Sequence, residues 1–94
     1  MRRQKKIRSL NMPYKKQQEI YKTCQEYCKQ PPKVREKIER LCSLAANDDA
    51  NKRHALFRVV TSEVPIWRIA NEHYMSKTVL YELRRRFYEL FEKN

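Results

Sequence analysis

The most specific chemistry in the chain lies between Ile66 and Leu83, in the run IWRIANEHYMSKTVLYEL. A helix capped by Ser76 advances about 100° per residue, so turning Leu80, Leu83 and Phe87 inward sends Thr78, Tyr81, Glu82 and Arg85 outward. Lys77 and Arg84 then lie on one flank and Arg86 on the other. Lys77, Thr78, Tyr81, Glu82 and Arg85 are the candidates for base-edge contacts in a major groove. Arginine or lysine suits guanine, a carboxylate accepts from cytosine N4, and threonine meets a thymine methyl. Arg68, Arg84 and Arg86 are placed for phosphate contacts, which position a protein on DNA without reading its sequence.

The elements needed to hold these residues are legible beside them. Pro65 supplies a sharp helix start, and Ile69 faces the core. Ala70 is small where two helices would cross most closely. Met75 plugs the turn from inside, Ser76 caps the next helix through its hydroxyl, and Leu80 and Leu83 return to the first helix. Such a layout predicts a helix–turn–helix. Amphipathic helix pairs with these features also occur in bundles that never touch DNA, so the local pattern alone does not decide the function.

The segment Trp67–Phe91, WRIANEHYMSKTVLYELRRRFYELF, resembles the C-terminal helix–turn–helix of Gram-positive phage transcriptional regulators of the RinA/ArpU type. These are similar in turn to region 4 of bacterial sigma factors. The shared pattern is an aromatic, one residue, Ile-Ala, a short turn, an apolar-Ser pair, and a Tyr-containing helix rich in Arg. The resemblance covers about 25 residues and implies promoter binding that activates late phage or mobile-element genes. It departs from the usual pattern in the turn, where His73-Tyr74 stand where many such proteins use glycine. A non-glycine residue must then accept a positive φ, or the turn must be longer.

The remaining sequence frames that motif. Residues 1–11 carry Arg2, Arg3, Lys5, Lys6 and Arg8 with no acidic residue, and read as a flexible basic arm suited to phosphate contacts. A single helical domain is expected over 12–94, with N-terminal helices over 12–62 and the helix–turn–helix over 63–94. The first helix is expected from Pro13 to about Lys29, with Ile20, Cys24, Tyr27 and Cys28 on one stripe. Pro31-Pro32 ends it and opens a second, whose stripe is Val34, Ile38, Leu41, Cys42 and Ala45. Asn47-Asp48-Asp49 is a break with a ready N-cap, followed by a helix from about Asp49 to Ser62 that buries Ala55, Leu56, Val59 and Val60. A fourth helix runs from Pro65 to about His73. The fifth carries Leu80, Leu83, Phe87, Leu90 and Phe91. The fold class is therefore all-α, a small domain of about five helices.

Composition narrows the function classes. In 94 residues there are 22 Lys and Arg against 11 Asp and Glu, a formal charge of +11, and no glycine. Such an excess points to nucleic acid or an anionic surface, and together with the helix–turn–helix the expected partner is double-stranded DNA. Without glycine, phosphate-cradling loops and dinucleotide fingerprints are excluded, and no cofactor and no enzymatic activity are expected. No stretch approaches the ~20 apolar residues of a membrane span. Cys24, Cys28 and Cys42 are an odd set at spacings that suit no disulfide scaffold, and no leader is visible, so a cytoplasmic protein of a bacterial host is expected. Cysteines four apart inside a helix are not a zinc knuckle, so no metal site is expected from them with His54 and His73. His73 is expected at the surface or facing phosphate, and Trp67 is expected in the core, wedged against the third helix. Tyr14, Tyr21 and Tyr27 exceed what one stripe can hide, which points to an interface. A homodimer through helices 1 and 2 is the expectation, with contact to RNA polymerase or another regulator, or a DNA-packaging role like that of terminase small subunits, as alternatives.

Overall fold

Helix signals in the sequence become five α-helices in the computed structural model, which describes residues 12–93. They are α1 (Tyr14–Gln25), α2 (Pro32–Ala45), α3 (Ala50–Thr61), α4 (Ile66–Glu72) and α5 (Lys77–Lys93), with a 3₁₀ turn at Tyr27–Lys29 and no strand among the described residues. The basic segment 1–11, with Arg2, Arg3, Lys5, Lys6 and Arg8, lies outside the described residues.

One cluster of buried side chains draws on every helix: Ile20 and Cys24 from α1, Ile38, Leu41 and Cys42 from α2, and Ala55 and Leu56 from α3. Ile69 and Ala70 of α4 and Leu80, Leu83 and Phe87 of α5 complete it. α2 and α5 pack most extensively, with α3 against both. Val59 is only half-buried, at the edge of this cluster. Tyr88 is buried beside Phe87, which widens the inward arc of α5 beyond the expected stripe.

The first helix is shorter than its periodicity suggests. Gln30 precedes Pro31 and takes an extended backbone, as a residue before proline must, and the chain tightens into the 3₁₀ turn before reaching it. The turn rotates Cys28 off the stripe of α1. Cys28 is exposed, while Cys24 and Cys42 are buried. Tyr14, Tyr21 and Tyr27 are half-buried; Tyr27 meets Phe57 of α3 edge-on, with ring centroids 5.0 Å apart, and its hydroxyl donates to Glu39.

Helix ends must find partners for carbonyls and N–H groups that have none inside the helix. Asp49 caps α3, its carboxylate accepting from the Lys52 N–H at 3.0 Å. At the other end of α3 the Gln25 side chain donates to the carbonyls of Val60 and Ser62, both at 3.1 Å, joining the end of α1 to the end of α3. α2 closes with bonds from Asp48 N–H to the Ser43 carbonyl at 3.0 Å and from Asn47 N–H to the Leu44 carbonyl at 3.2 Å. That is the Schellman arrangement, which needs a left-handed residue after the cap; Asn47 supplies it with φ 51°, and Asp48 follows at φ 63°. Asn and Asp are the non-glycine residues best suited to this region.

Burial also separates the thiols chemically. Desolvation pushes the Cys42 thiol up to about 12, and Cys24 is raised by the same cause. A thiol-specific reagent at neutral pH should therefore modify one cysteine, Cys28, in the native chain and all three after denaturation. Rapid native labelling of Cys24 or Cys42 would contradict this packing.

Candidate nucleic-acid interface

The residues singled out in the sequence converge on α4, α5 and the four residues, His73 to Ser76, that join them. α4 has seven residues, too few to be stable alone, so its place is set by packing. Ile69 and Ala70 are buried against the neighbouring helices, and Met75 is half-buried against the same core. The Ser76 hydroxyl accepts from the Val79 N–H at 3.2 Å, opening α5 as its side-chain cap.

The connection is a second Schellman closure. Met75 N–H donates to the Ala70 carbonyl at 3.0 Å and Tyr74 N–H to the Asn71 carbonyl at 3.3 Å. Tyr74 occupies the left-handed position with φ 56°. The turn thus keeps its tight form without glycine, and Tyr74 carries the steric cost that Asn47 largely avoids at the end of α2.

His73 corrects the expectation of a surface or phosphate-facing residue: it is buried. Asn51 of α3 holds it twice, donating from Nδ2 to the His73 carbonyl at 2.8 Å and pairing its Oδ1 with Nδ1 at 2.9 Å. Arg58 Nη1 lies 3.2 Å from Nε2. A guanidinium only donates, so Nε2 accepts, Nδ1 carries the proton, and the ring is neutral. Arg58 also meets Glu72 at 2.6 Å, and Glu72 meets Arg68 at 3.3 Å. These bonds hold the Glu72 carboxyl below its ordinary range. Desolvation, followed by the nearby His54 and Arg58, holds His73 below the usual histidine value, opposed by Glu72. Asn51 and Arg58 have no signature of their own in the sequence, since their partners lie far along the chain.

On α5, Lys77, Thr78, Tyr81 and Glu82 are exposed and Arg85 is half-buried. Arg85 Nη2 donates to Glu82 Oε2 at 3.0 Å, one turn apart on the outward face. The three consecutive arginines do not form a plain solvated run, because each is half-buried. Arg84 lies with its guanidinium 5.4 Å from the centre of the Tyr81 ring, and burial lowers its pKa from the ordinary arginine value. Its Nε has no hydrogen-bond partner, and among the described residues it has no carboxylate partner either. Arg86 reaches Asn47 in the α2–α3 connection at 3.4 Å. Arg68 stays largely exposed on α4.

Trp67 overturns its expected place in the core. It is 57% exposed on α4, because Ile69 and Ala70 take the inward face of so short a helix. Among the described residues no three His, Cys, Asp or Glu side chains gather as a metal site would require, and no helix is long and apolar enough to cross a membrane. Comparison with protein-family models, curated proteins and solved structures gives no match to the chain.

Two measurements test this geometry. Replacing Tyr74 with glycine should raise stability by about 1 kcal/mol, since the exposed ring loses no packing and the left-handed backbone is relieved. A lower melting temperature for that variant would contradict the turn described. For His73, the unfolded chain binds the proton more readily than the folded one. Its contribution is therefore fully present above pH ~6.5 and is lost as pH falls from there towards the depressed folded value. Thermal melts between neutral pH and pH 5 should show this decline, and His73→Gln should flatten it.

Proposed function

We propose that the chain binds double-stranded DNA, with α4 and α5 serving as a helix–turn–helix, and acts in transcriptional regulation of the phage or mobile-element type. The observation that carries this reading is the outward face of the first half of α5. Lys77, Thr78, Tyr81 and Glu82 stand clear of the core beside Arg85, on a helix held at its start by the Ser76 cap and the closed turn. A recognition helix works in this way, presenting its N-terminal residues to base edges.

Each side chain then has a role. Arg85 reads guanine through its paired donors, and Glu82 accepts from cytosine N4, each leaving the other on binding. The exposed ion pair between them contributes little in water, so exchanging it for base contacts costs little. Lys77 reads guanine and Thr78 a thymine methyl. Arg84, with no carboxylate partner among the described residues, takes a phosphate, as do Arg68 and Arg86 and the basic residues of segment 1–11. A net charge of +11 supplies the sequence-independent attraction. α1 and α2 are the surface for a homodimer.

A second reading, a protein-interaction module for a regulator or polymerase, draws on the open groove of about 480 Å³ between α2 and α3, where Tyr27 and Phe57 meet Glu36, Glu39 and Arg53. It requires activity to survive changes on α5 and to fail on alteration of Tyr27.

Selection from a randomised duplex pool, at low salt and again at about 150 mM, tests the DNA reading, because non-specific phosphate binding weakens steeply as salt rises. An enriched motif at the higher salt supports it, and a palindromic motif also supports the dimer. Binding confined to low salt without enrichment overturns a sequence-specific regulator. Arg85→Ala should cost about 1–3 kcal/mol at one base position and relax specificity there. Arg84→Ala should weaken all sequences alike and reduce the salt slope by about 1.

A further inference from the structure

Two exposed aromatics are not needed by a groove-reading α5. Trp67, the one tryptophan of the chain, is 57% exposed on α4, and Tyr74 is 96% exposed in the connection. Most aromatic side chains elsewhere in the fold have a use inside it. Tyr27 packs on Phe57, Phe87 on Phe91, Lys37 sits over Phe91, and Arg84 covers Tyr81. Trp67 and Tyr74 have no ring or cation contact among the described residues. Tyr74 is the odder of the two. It gains almost no burial and occupies a left-handed backbone position that its side chain opposes. A ring placed there is open to a partner outside the molecule.

The surroundings favour a nucleic acid as that partner. Trp67 lies on α4 and Tyr74 seven positions later, in the turn that closes the same helix. Asn71, one turn beyond Trp67 on the same side, is exposed and offers an amide to a base edge. Arg68, which shares Glu72 with Arg58, adjoins Trp67, exposed Lys77 follows Tyr74, and the whole chain is strongly basic. Rings that stack on bases, beside cations that follow a phosphate backbone, make up a surface for unpaired nucleotides.

We propose that Trp67 and Tyr74 stack on unpaired bases next to the duplex held by α5, so that the protein prefers a junction between double- and single-stranded DNA over continuous duplex. The inference rests on the DNA-facing role of α5 and adds a second substrate feature to it.

Fluorescence anisotropy with the full chain tests it on two probes of one sequence, a blunt duplex and the same duplex with a short single-stranded extension. Emission from Trp67 is followed in parallel. The extension should raise affinity about tenfold and quench Trp67. Trp67→Ala and Tyr74→Ala should each remove much of that gain and leave blunt-duplex affinity unchanged, while Trp67→Phe should retain part of it. Alanine at 74 keeps the left-handed backbone cost, so its effect reads the ring. Equal affinity for the two probes, or equal losses on both in the variants, overturns the inference and leaves the α5 reading standing. Failure of both probes to bind overturns both readings. Normal duplex binding with no quenching, and loss of a protein partner on Trp67→Ala, would assign the surface to protein instead.

Discussion

Asn51 grips His73 at two points, one on the backbone and one on the ring, and the placement of α4 and α5 follows from that grip. A helix of seven residues cannot fix its own direction. Ile69 and Ala70 bury its inner face, but apolar contact is indifferent to rotation, whereas paired hydrogen bonds are directional. Because His73 is the residue at which α4 stops, fixing it also fixes where the chain turns and where Ser76 can begin α5. Arg58 and Glu72 extend the same grip along the side of α4.

The helical architecture was legible because its signals are local. Apolar spacing placed Ile38, Leu41, Cys42, Leu80, Leu83 and Phe87 inside, and the positions of Asp49 and Ser76 as caps follow from their hydroxyl and carboxylate oxygens next to a helical run. The misplacements share a different cause. Cys28 moved because a proline pair downstream tightened the chain before the periodicity could reach it. His73 and Trp67 were both assigned from residue type, which describes an average environment. Their actual environments depend on Asn51 and Arg58, some 15 to 22 residues away, and on the narrow inward face of α4. On α5, periodicity alone sorted inside from outside and set Arg85 apart from Arg84 and Arg86 by direction, yet it could not give the contacts that half-bury all three. Their differences arise from Tyr81, Glu82 and Asn47, which Arg84, Arg85 and Arg86 respectively meet.

α5 is asymmetric along its length. In its second half Phe87 and Tyr88 are both buried although they are neighbours, so the core encloses a wider arc there than around Leu80. The first half leaves more of its circumference open, and that half carries Lys77, Thr78 and Tyr81. The outward residues beyond Arg85 include Glu89 and Glu92, which a phosphate backbone would repel. Shape and charge therefore make the end of the helix next to the turn the more open to a polyanion.

The side chain of Gln25 has a consequence for how the molecule opens. It is the last residue of α1, and its amide occupies the carbonyls that end α3, so neither terminus can fray while the other stays closed. Loss of one hydrogen-bonded turn at the end of α1 leaves two acceptors of the α3 terminus without their donor, and the segment leading into α4 loosens with them. Two ends that in most helices open independently are merged into a single cooperative unit, which raises the free energy of local opening near Ser62 towards that of separating α1 from α3.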